Sequence, residues 1–585
     1  MTDKNTISKD NSNSLLKKII KKNSKYLAGI VLVSVVTALL RSANPVFYQK
    51  IIDDAIPNKN VKLLFVCIAL IAVFPLINVG VSTVRQRLGY RFSNNSENEM
   101  RAIYFEKILN MNYPAFIKLG PIKLMNIITR SIGKICGKYL DYDVIQGTNS
   151  IVNILVVFCI LLHYSVIIAI TTFLVVPIIF FIIKLWQDKI GDLINKELEH
   201  LNACDKFLLQ VFNGIRTVRS YAGQEKEIKN FKNWLAQNAV NKWKIEKQNL
   251  TARAFVPTAA SEIVLGGIFT ALAFSVMKGT MTIGTLVAVI SYVPNLIQSI
   301  TLLMSLQVGK AEISKIMEDL DAVFSEEPEF EEEAPREIDN SVIAFKDIDF
   351  TYGRENFDLK IENLEINKGD FITIVGSTGG GKSSIMDIIN KFYPISGGEV
   401  LFGDRSINDI GTKALREQIS TMFQDVYMFN GTIAENISYP EKPDMAKINE
   451  VMKKAQLSGF VDKLPNKSEE IVEENGANFS GGECQRIALA RMLYKDSDVF
   501  LLDEPTAALD AGTSKAIFDM LDNENKSRGK TVICITHDAG KAVYGNKVMV
   551  VNGGRIVEFG NPEELIKQDG AFASLYNAQQ KLTTA

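Results

Sequence analysis

The feature that most constrains this chain is the run Ile151–Ile183, 33 residues without a single Lys, Arg, Asp or Glu. A helix that spans a bilayer needs roughly 20 apolar residues, so the run is too long for one span and suits two joined by a tight turn. His163–Ser165 lies near the middle of the run and is the predicted turn. The first half of the chain is therefore predicted to lie in a membrane.

Shorter apolar runs of the same kind raise the number of predicted spans to six. They are Tyr26–Leu40, Leu63–Val84, Phe255–Met277 and Ile283–Val308. Arg41 interrupts the first of these runs, and Ala43–Ile52 could prolong its helix. The competing interpretation of residues 1–43 is a secretory signal peptide, but small residues do not occupy the usual cleavage spacing and five further spans follow.

The average composition hides two unlike halves. A net charge of −1 argues against nucleic-acid binding by bulk charge, and 32 Phe argue against disorder. Up to Ser325 there are 37 Lys+Arg and 22 Asp+Glu, a balance of +15; the remainder has 65 − 37 = 28 and 66 − 22 = 44, a balance of −16. The acidic run Glu326–Glu337 contains two prolines, which favours a solvated linker over a charged helix. The predicted domains are residues 1–325 and 341–585, with a linker at 326–340.

Positive charge predicts the orientation of the spans. Seven lysines precede the first span, ten Lys+Arg lie between Arg85 and Lys138, and thirteen lie between Lys184 and Arg253. The three opposite connections carry four in all. This asymmetry places both termini and both long loops in the cytoplasm. The long loops have helix-compatible spacing, so we expect them to extend the spanning helices beyond the bilayer and to turn near Asn112–Leu119 and Phe212–Tyr221.

The second half contains a phosphate-binding pattern. Phe371–Val375 has the pattern of a buried strand and is followed by Gly376-Ser-Thr-Gly-Gly-Gly-Lys-Ser383, which fits GxxxxGK[ST] before a helix. Glycines let backbone N–H groups turn onto phosphate, Lys382 reaches the β- and γ-phosphates, and Ser383 binds Mg²⁺. The alternative is a Gly-rich turn that binds no nucleotide. The predicted nucleotide-binding residues of the loop are Ser377, Thr378, Gly379, Gly380, Gly381, Lys382, Ser383 and Ser384.

A second buried strand ends in two acids. It reads Val499-Phe-Leu-Leu-Asp503-Glu504. Asp503 is predicted to hold Mg²⁺ through water, and Glu504 to polarise the water that attacks the γ-phosphate. Paired acids at a strand end are commonly solvated loop residues. Because this pair occurs together with a phosphate loop, it is a specific indication of the metal and water roles just described.

The segment Ser480-Gly481-Gly482-Glu483 opens a predicted helix at residues 484–494. Its capping-box pattern is compatible with a plain helix start, but the two glycines also leave the helix N-terminus open to an anion. The order of phosphate loop, Ser-Gly-Gly-Glu, acidic strand end and His537 resembles the ATP-binding cassette (ABC) ATPases. Phe479-Ser-Gly-Gly-Glu is similar to the family signature LSGGQ, with Phe for Leu and Glu for Gln.

The resemblance implies roles for further residues. Tyr352 resembles the aromatic residue that stacks on adenine, Gln424 the glutamine that contacts Mg²⁺, and His537 the switch histidine at the γ-phosphate. Ala508-Leu-Asp510 resembles the loop that crosses the dimer interface, with Ala508 where Ser is usual, and Glu473 stands where an exporter segment usually has Gly. Because Glu504 and His537 are both present, we expect an active site.

Six spans followed by one cassette resemble an ABC exporter half-transporter. The implied fold is an all-α six-helix membrane domain plus an α/β P-loop domain, and the implied cofactors are ATP and Mg²⁺. In the family the phosphate loop of one cassette faces the signature of another, so we expect a dimer, with a homodimer favoured and a heterodimer left open. The expected activity is ATP-driven export by alternating access, and no nucleic acid is expected as a partner. A cassette-gated sensor that does not pump is the alternative.

The substrate path is less well marked. Arg41 and Glu262 lie within predicted spans, where ionisable side chains are costly and face a cavity or each other. Asn78, Asn153 and Gln298 are further candidates for the cavity, and a purely structural Arg41–Glu262 pair is the alternative. The expected substrate is a peptide, a lipid or an amphipathic drug-like molecule. The roughly 25 residues before the first span are too few for the cysteine peptidase of some peptide exporters.

Overall fold

The computed structural model describes residues 12–166, 169–170, 196, 200–201, 203–251, 256–306, 310–329, 342–353 and 358–584. The chain divides into two compact units. The first comprises Met1–Leu109 and Leu119–Glu327, and the second comprises Asn110–Lys118 and Pro328–Ala585. Most of the predicted fourth span, and all but the first four residues of the predicted linker, lie outside the described residues. The domain boundaries at 325 and 341 stay predictions.

The described part of the first unit is helical. Its longest helices are α1 (Ser12–Lys22), α2 (Ser24–Lys50), α3 (Val61–Leu109), α4 (Ile145–Tyr164), α5 (Gln224–Leu250), α6 (Val256–Met277), α7 (Ile283–Ser305) and α8 (Lys310–Phe324). Shorter helical pieces connect them at Pro121–Asn126, Ile132–Lys134 and Ile215–Ser220, and π-helical turns occur at Ile51–Ala55, Ile127–Ser131 and Ile135–Val144.

Within the part of the chain that the structure describes, four helices are long and apolar enough to cross a membrane. They are Ser24–Ala55, Val61–Leu109, Pro121–Tyr164 and Ile283–Leu303, and Leu265–Met277 is a shorter apolar helix. Most of the apolar side chains of α3 are exposed in the single chain, as expected of a surface that faces lipid or another helix bundle. The helical membrane domain predicted from the apolar runs is therefore confirmed.

Breaks between helices lie at or beside the predicted turns, and helix α3 continues past its predicted span. Helix α4 ends at Tyr164, and Ser165 is extended, so the turn falls inside the predicted His163–Ser165. Helix α3 has 49 residues, which at 1.5 Å per residue gives about 74 Å, against a hydrocarbon core of about 30 Å. It runs past the predicted span by more than twenty residues. The chain turns near Asn112 after α3, and again at Tyr221–Gly223 before α5.

The second unit is built on a mixed sheet that has ten strands among the described residues. Its order is β5-β4-β1-β2-β12-β11-β3-β10-β9-β6, and β7 pairs with β8 separately. The strands are β1 (Val342–Phe350), β2 (Leu359–Asn367), β3 (Phe371–Gly376), β4 (Gly397–Phe402), β5 (Arg405–Ser406), β6 (Ile419–Met422), β7 (Gly431–Thr432), β8 (Ile471–Val472), β9 (Val499–Asp503), β10 (Thr531–Ile535), β11 (Lys547–Asn552) and β12 (Arg555–Gly560).

Helices cover both faces of this sheet. They are α9 (Tyr113–Leu119), of which Tyr113–Lys118 belong to this unit, α10 (Lys382–Ile389), α11 (Thr412–Glu417), α12 (Ile433–Ser438), α13 (Met445–Lys454), α14 (Ser458–Val461), α15 (Gly481–Lys495), α16 (Ala511–Arg528), α17 (Ala539–Ala542), α18 (Pro562–Lys567) and α19 (Ala571–Thr584). One core cluster includes residues of α12, α13, α15 and α16 on one side, and a second includes residues of α10 and β1 on the other. The predicted α/β domain is confirmed.

The central strands position the functional loops. Strands β9 and β10 are buried at every residue, and β3 at all but its last, which matches the continuous apolar runs typical of parallel strands covered on both faces. They are parallel neighbours, with Ile535 of β10 opposite both Ile374 of β3 and Asp503 of β9. Their carboxyl ends therefore lie at one edge of the sheet, where α/β proteins bind ligands.

Candidate functional site

The phosphate loop connects β3 to α10 in the strand–loop–helix context that the sequence predicts. Gly376 has φ +146°, and a Cβ there would lie 1.9 Å from the carbonyl oxygen of Val551, so only glycine fits. Gly379 and Gly381 also have positive φ. The loop therefore depends on glycine for its path, and it leads into the N-terminus of α10, where the helix dipole favours an anion.

Lys382 lies over the loop that precedes it. Its ammonium donates hydrogen bonds to the carbonyl oxygens of Gly376 at 3.0 Å and Ser377 at 2.9 Å. Burial lowers the pKa of Lys382, and the negative charges of Glu504 and Asp503 counteract part of this effect. A partly desolvated cation held against the phosphate loop is suited to bind phosphate oxygens.

Ser383 and Asp503 supply two oxygens at one point of the site. The Ser383 hydroxyl donates a hydrogen bond of 2.9 Å to Oδ2 of Asp503. Burial raises the pKa of Asp503; the charge of Glu504 adds to the effect, and the Ser383 hydrogen bond opposes it. Hydroxyl and carboxylate oxygens are the ligands that Mg²⁺ prefers, so this pair fits the predicted metal ligands. Gln424, the third predicted ligand, is exposed just after β6, the strand next to β9.

Glu504 and His537 face each other across the ends of β9 and β10. The distance between Nε2 of His537 and Oε1 of Glu504 is 2.6 Å. Glu504 has φ +50°, an uncommon conformation for a residue other than glycine, and its N–H donates to the Ile535 carbonyl at 3.0 Å. The Glu504 side chain is 14% exposed and that of His537 47%, so the pair reaches the surface through the histidine. This arrangement suits a general base with an orienting partner.

Tyr352 packs in an aromatic cluster beside α10. Its ring centroid lies 4.8 Å from that of Phe350 and 4.8 Å from that of Tyr393. Its hydroxyl donates to Oδ2 of Asp387 at 2.7 Å and lies 3.0 Å from Oγ of Ser384. Burial raises the pKa of Asp387 and of Tyr352. The structure therefore ties Tyr352 to the helix that follows the phosphate loop, and its stacking on adenine stays a prediction.

The signature segment forms the predicted capping box at the start of α15. Oγ of Ser480 accepts from the Glu483 N–H at 3.3 Å, and Oε2 of Glu483 accepts from the Ser480 N–H at 2.7 Å. A Cβ on Gly482 would lie 2.8 Å from the carbonyl oxygen of Ala508, so glycine permits the close approach of the 508–510 loop. Within the described residues, no hydrogen bond or ion pair joins Ser480–Glu483 to the phosphate loop of the same chain.

Three residues that sequence reasoning missed support the site. Asp387 accepts from Tyr352, Oδ1 of Asn552 accepts from the Ser377 hydroxyl at 3.0 Å, and Nε2 of Gln579 donates to the His537 carbonyl at 2.7 Å. They lie 35, 175 and 42 residues from these partners along the chain. Only Asp387 could have been found from the sequence. It follows Ser383 and Ser384 at the i+4 and i+3 positions, so it lies on the same face of α10 as these two residues.

The candidate cavity residues of the first unit are placed as follows. Asn153 is buried and donates to Oγ of Ser299 at 2.7 Å. Asn78 is half-buried, and its Oδ1 has no hydrogen-bond partner among the described residues. The side chains of Arg41, Glu262 and Gln298 are exposed in the single chain. No ion pair joins Arg41 to Glu262 in the described part of the chain, so the alternative of a pair within one chain finds no support.

The comparison with protein families agrees with this geometry. Residues 27–300 match the family model for the ABC transporter transmembrane region, and residues 359–507 match the family model described as ABC transporter. Together the two matches cover most of the chain. The chain belongs to the ABC transporters and has the exporter-type arrangement, a membrane domain and one cassette in a single polypeptide. It is a multi-pass membrane protein whose ATPase drives transport.

The chain is also similar to several curated proteins, all of them named as flippases. The chain is 28% identical over 519 residues to an ATP-dependent lipid A-core flippase of Pectobacterium atrosepticum, covering 86% of this chain and 88% of the relative. It is 33% identical over 374 residues to that of Vibrio parahaemolyticus, with 63% and 64% covered. It is 28% identical over 491 residues to that of Salmonella typhimurium, with 82% of each covered.

A solved structure shares the fold. A bacterial Atm1-family ABC exporter with ATP bound superposes with a TM-score of 0.87, at 21% sequence identity, and the match covers 95% of this chain and 98% of that one. At this identity the likeness concerns the fold alone. It confirms the predicted combination of a helical membrane domain with an α/β nucleotide-binding domain.

Proposed function

We propose that the protein exports an amphipathic, lipid-like substrate, with ATP bound and hydrolysed between two cassettes. The observation that carries the ATPase part is the convergence of Lys382, Ser383, Asp503, Glu504 and His537 at the carboxyl ends of neighbouring strands. The relatives named lipid A-core flippases favour a lipid over a peptide or a drug-like molecule as the transported substrate.

We propose the following roles at the nucleotide. Gly376–Ser383 surround the phosphates with backbone N–H groups, and Lys382 exchanges its two carbonyl contacts for phosphate oxygens. Ser383 and Asp503, with Gln424, hold Mg²⁺, which neutralises charge on the phosphates. Glu504 accepts a proton from the attacking water, while His537 orients the Glu504 carboxylate and reaches the γ-phosphate. Tyr352 lies beside the base.

We propose that the active unit is a dimer, and that two copies of this chain form it. The signature Ser480–Glu483 contacts its own 508–510 loop and makes no hydrogen bond to its own phosphate loop within the described residues. The open N-terminus of α15 is therefore available to the γ-phosphate of a nucleotide held by the other copy. Each dimer then has two such composite sites, and a heterodimer with a different chain is the alternative.

We propose alternating access as the mechanism, with the cassettes and both termini in the cytoplasm. The excess of Lys and Arg in the long loops supports this orientation. ATP must bind the closed pair of cassettes more tightly than the open pair, because otherwise it cannot shift the conformational equilibrium. Asn78, Asn153, Gln298, Arg41 and Glu262 are the proposed contacts of the substrate along the membrane path.

The experiment that tests this function is transport by the purified protein in liposomes. A fluorescent lipid, a peptide and an amphipathic drug are tested separately, with Mg²⁺ and ATP added outside and the Lys382→Ala variant as the inactive control. ATP-dependent movement of the lipid, absent in the variant, supports the proposal. Movement of the peptide alone or of the drug alone would show that the substrate belongs to that class and not to the lipids. ATP hydrolysis without movement of any of the three would favour a cassette-gated sensor.

A further inference from the structure

A cavity in the first unit is lined by residues that take no part in the ATP site. Its volume is about 740 Å³, and its lining includes Arg85, Arg87 and Arg91 of α3, together with Gln86 of α3 and Gln146 of α4. Among the described lining residues there is no acidic side chain. The cavity therefore has a strongly positive lining and several neutral hydrogen-bond donors.

Arg85 is the buried arginine among the residues that line this cavity. The residue is only 7% exposed, and its Nε and Nη1 have no hydrogen-bond partner among the described residues. A buried guanidinium without an acceptor is costly, since the loss of hydration is not compensated. Arginine donors are normally satisfied by carboxylate, phosphate or carbonyl oxygens. The orphaned donors of Arg85 thus point to a missing anionic ligand.

Arg87 and Arg91 add charge to the lining of the cavity. They are four residues apart on α3, so their side chains lie on the same face of the helix, and both are exposed. In the described part of the chain neither makes an ion pair, and two like charges at this spacing repel each other. A bound anion would relieve this repulsion.

We propose that this cavity binds the phosphate group of a phosphate ester, a site distinct from the ATP site. Phosphate carries a charge of about −1.5 to −2 at neutral pH and presents three acceptor oxygens, which matches three guanidinium groups better than a single carboxylate does. The cavity is larger than a bare phosphate ion, so there is room for the esterified part of the ligand. This inference goes beyond the proposed export function and does not rest on it.

The position of the cavity admits two sources of such a phosphate. Arg85 directly follows Leu63–Val84, the uncharged apolar part of α3, and therefore lies where the helix leaves its apolar stretch. A lipid headgroup at the bilayer surface reaches this level, and so does a soluble phosphate ester in the aqueous phase. The experiment distinguishes the two sources.

The test is the thermal stability of the full-length protein in a neutral detergent at low salt. Dioctanoyl phosphatidic acid, glycerol phosphate and inorganic phosphate are titrated, with dioctanoyl phosphatidylcholine as the control with the same chains. We expect phosphatidic acid or glycerol phosphate to raise Tm in a saturable way. If phosphatidic acid acts and glycerol phosphate does not, the source is a lipid headgroup; the reverse result identifies a soluble ester. Added salt should weaken either effect.

Variants of the lining arginines test whether the Tm shift arises from binding in this cavity. Arg85→Gln should weaken the apparent affinity about 10- to 100-fold, because a charge-assisted hydrogen bond is lost. Without ligand the same variant should raise Tm, since it removes an uncompensated buried charge. If Arg85→Gln does not fold, the exposed pair Arg87→Gln and Arg91→Gln provides the test. Arg219→Gln, an exposed arginine elsewhere in the unit, is the matched control and should bind as the wild type does.

Two results would overturn the proposal. One is the absence of any saturable Tm shift with all three phosphate compounds in the wild type. The other is an equal shift in the wild type and in the Arg85, Arg87 and Arg91 variants, which would place the bound phosphate elsewhere. ATP hydrolysis and lipid movement are not part of this readout, so its failure leaves the export function untouched.

Discussion

Nε2 of His537 lies 2.6 Å from Oε1 of Glu504, although 33 residues separate them along the chain. The contact follows from the sheet, because Glu504 comes directly after β9 and His537 two residues after β10, and these strands are parallel neighbours. The Glu504 N–H is bound by the Ile535 carbonyl, and the His537 carbonyl accepts from Gln579. Backbone and side-chain contacts from both strand ends therefore hold the proposed base and its orienting partner in place.

Glu504→Gln should reduce ATP turnover by about 10²- to 10⁴-fold while ATP binding is retained. The amide keeps the size of the side chain and its contact with His537, but it cannot accept the proton of the attacking water. The measurement is steady-state ATPase activity together with nucleotide binding at equilibrium. Glu399→Gln, at an exposed position in β4, is the control and should leave both unchanged. Hydrolysis at the wild-type rate in Glu504→Gln would refute the assignment.

Gly482→Ala should lower ATPase activity and destabilise the second unit by about 1–3 kcal/mol. The added Cβ would lie 2.8 Å from the Ala508 carbonyl oxygen and 3.0 Å from Cδ2 of Leu509, so α15 must shift away from the 508–510 loop. Gly459→Ala is the matched control, because its Cβ meets no atom within 4 Å. Thermal unfolding and ATPase assays of both variants check this. Equal stability and equal ATPase activity of the two variants would show that the close approach of α15 to the 508–510 loop is unimportant.

Asp503→Asn should abolish Mg²⁺-dependent turnover and yet raise the stability of the fold at pH 7. Burial raises the pKa of Asp503, so its ionised form destabilises the folded state above that pKa, and the amide removes this cost. As the pH falls through the raised pKa the carboxylate is protonated, and the stability difference from the amide should shrink. Unfolding curves of both proteins between pH 7 and pH 4 test this, with exposed Asp409→Asn as the control. A variant less stable than the wild type at pH 7 contradicts the prediction.

Mixed dimers should show whether the ATP sites are shared between chains. Lys382→Ala disables the phosphate loop and Ser480→Arg blocks the signature, so each homodimer lacks any intact site. A dimer with one chain of each kind would keep one intact site, formed by the phosphate loop of the second chain and the signature of the first. We expect nucleotide occlusion and some ATPase activity in differently tagged, co-purified dimers. Mixed dimers as inactive as both homodimers would argue against shared sites.

Tyr113→Ala should reduce transport more than ATP hydrolysis. Residues Asn110–Lys118 directly follow the long helix α3 yet belong to the second unit, where the Tyr113 ring lies 5.0 Å from that of Phe392 and 5.5 Å from that of Tyr393. Loss of these aromatic contacts should loosen the segment, while the catalytic groups remain in place. Transport per ATP hydrolysed is the measurement, with Ile117→Ala in the same helix as the control. An unchanged ratio would show that the ring does not contribute to coupling.

The local chemistry of the site could be predicted from sequence because each motif is contiguous. The phosphate loop is eight residues with a strand before it and a helix after it, and the capping box of Ser480 and Glu483 depends on neighbours three residues apart. Apolar runs and charge excess similarly predicted the membrane helices. These features follow from short-range geometry, and from the cost of placing charge in a bilayer.

Residues brought together from distant positions could not be predicted in this way. The bond from Gln579 to the His537 carbonyl and the bond from Ser377 to Asn552 have no local signal. Tyr113 packs against Phe392 and Tyr393 of the cassette although it follows a membrane helix along the chain, and no local signal indicates this contact. The cavity around Arg85 was also missed, since sequence reasoning treated its three arginines only as topology signals.

The sequence by itself determined that this chain has a helical membrane half and an ATP-binding half, because hydropathy, charge and contiguous motifs are local properties. The tertiary structure decided which of those groups meet. Strand order placed Glu504 beside His537, and the packing of α3 buried Arg85 with its Nε and Nη1 unpartnered among the described residues. Both outcomes depend on contacts between segments far apart in the chain, and such contacts arise only when the helices and the sheet have packed.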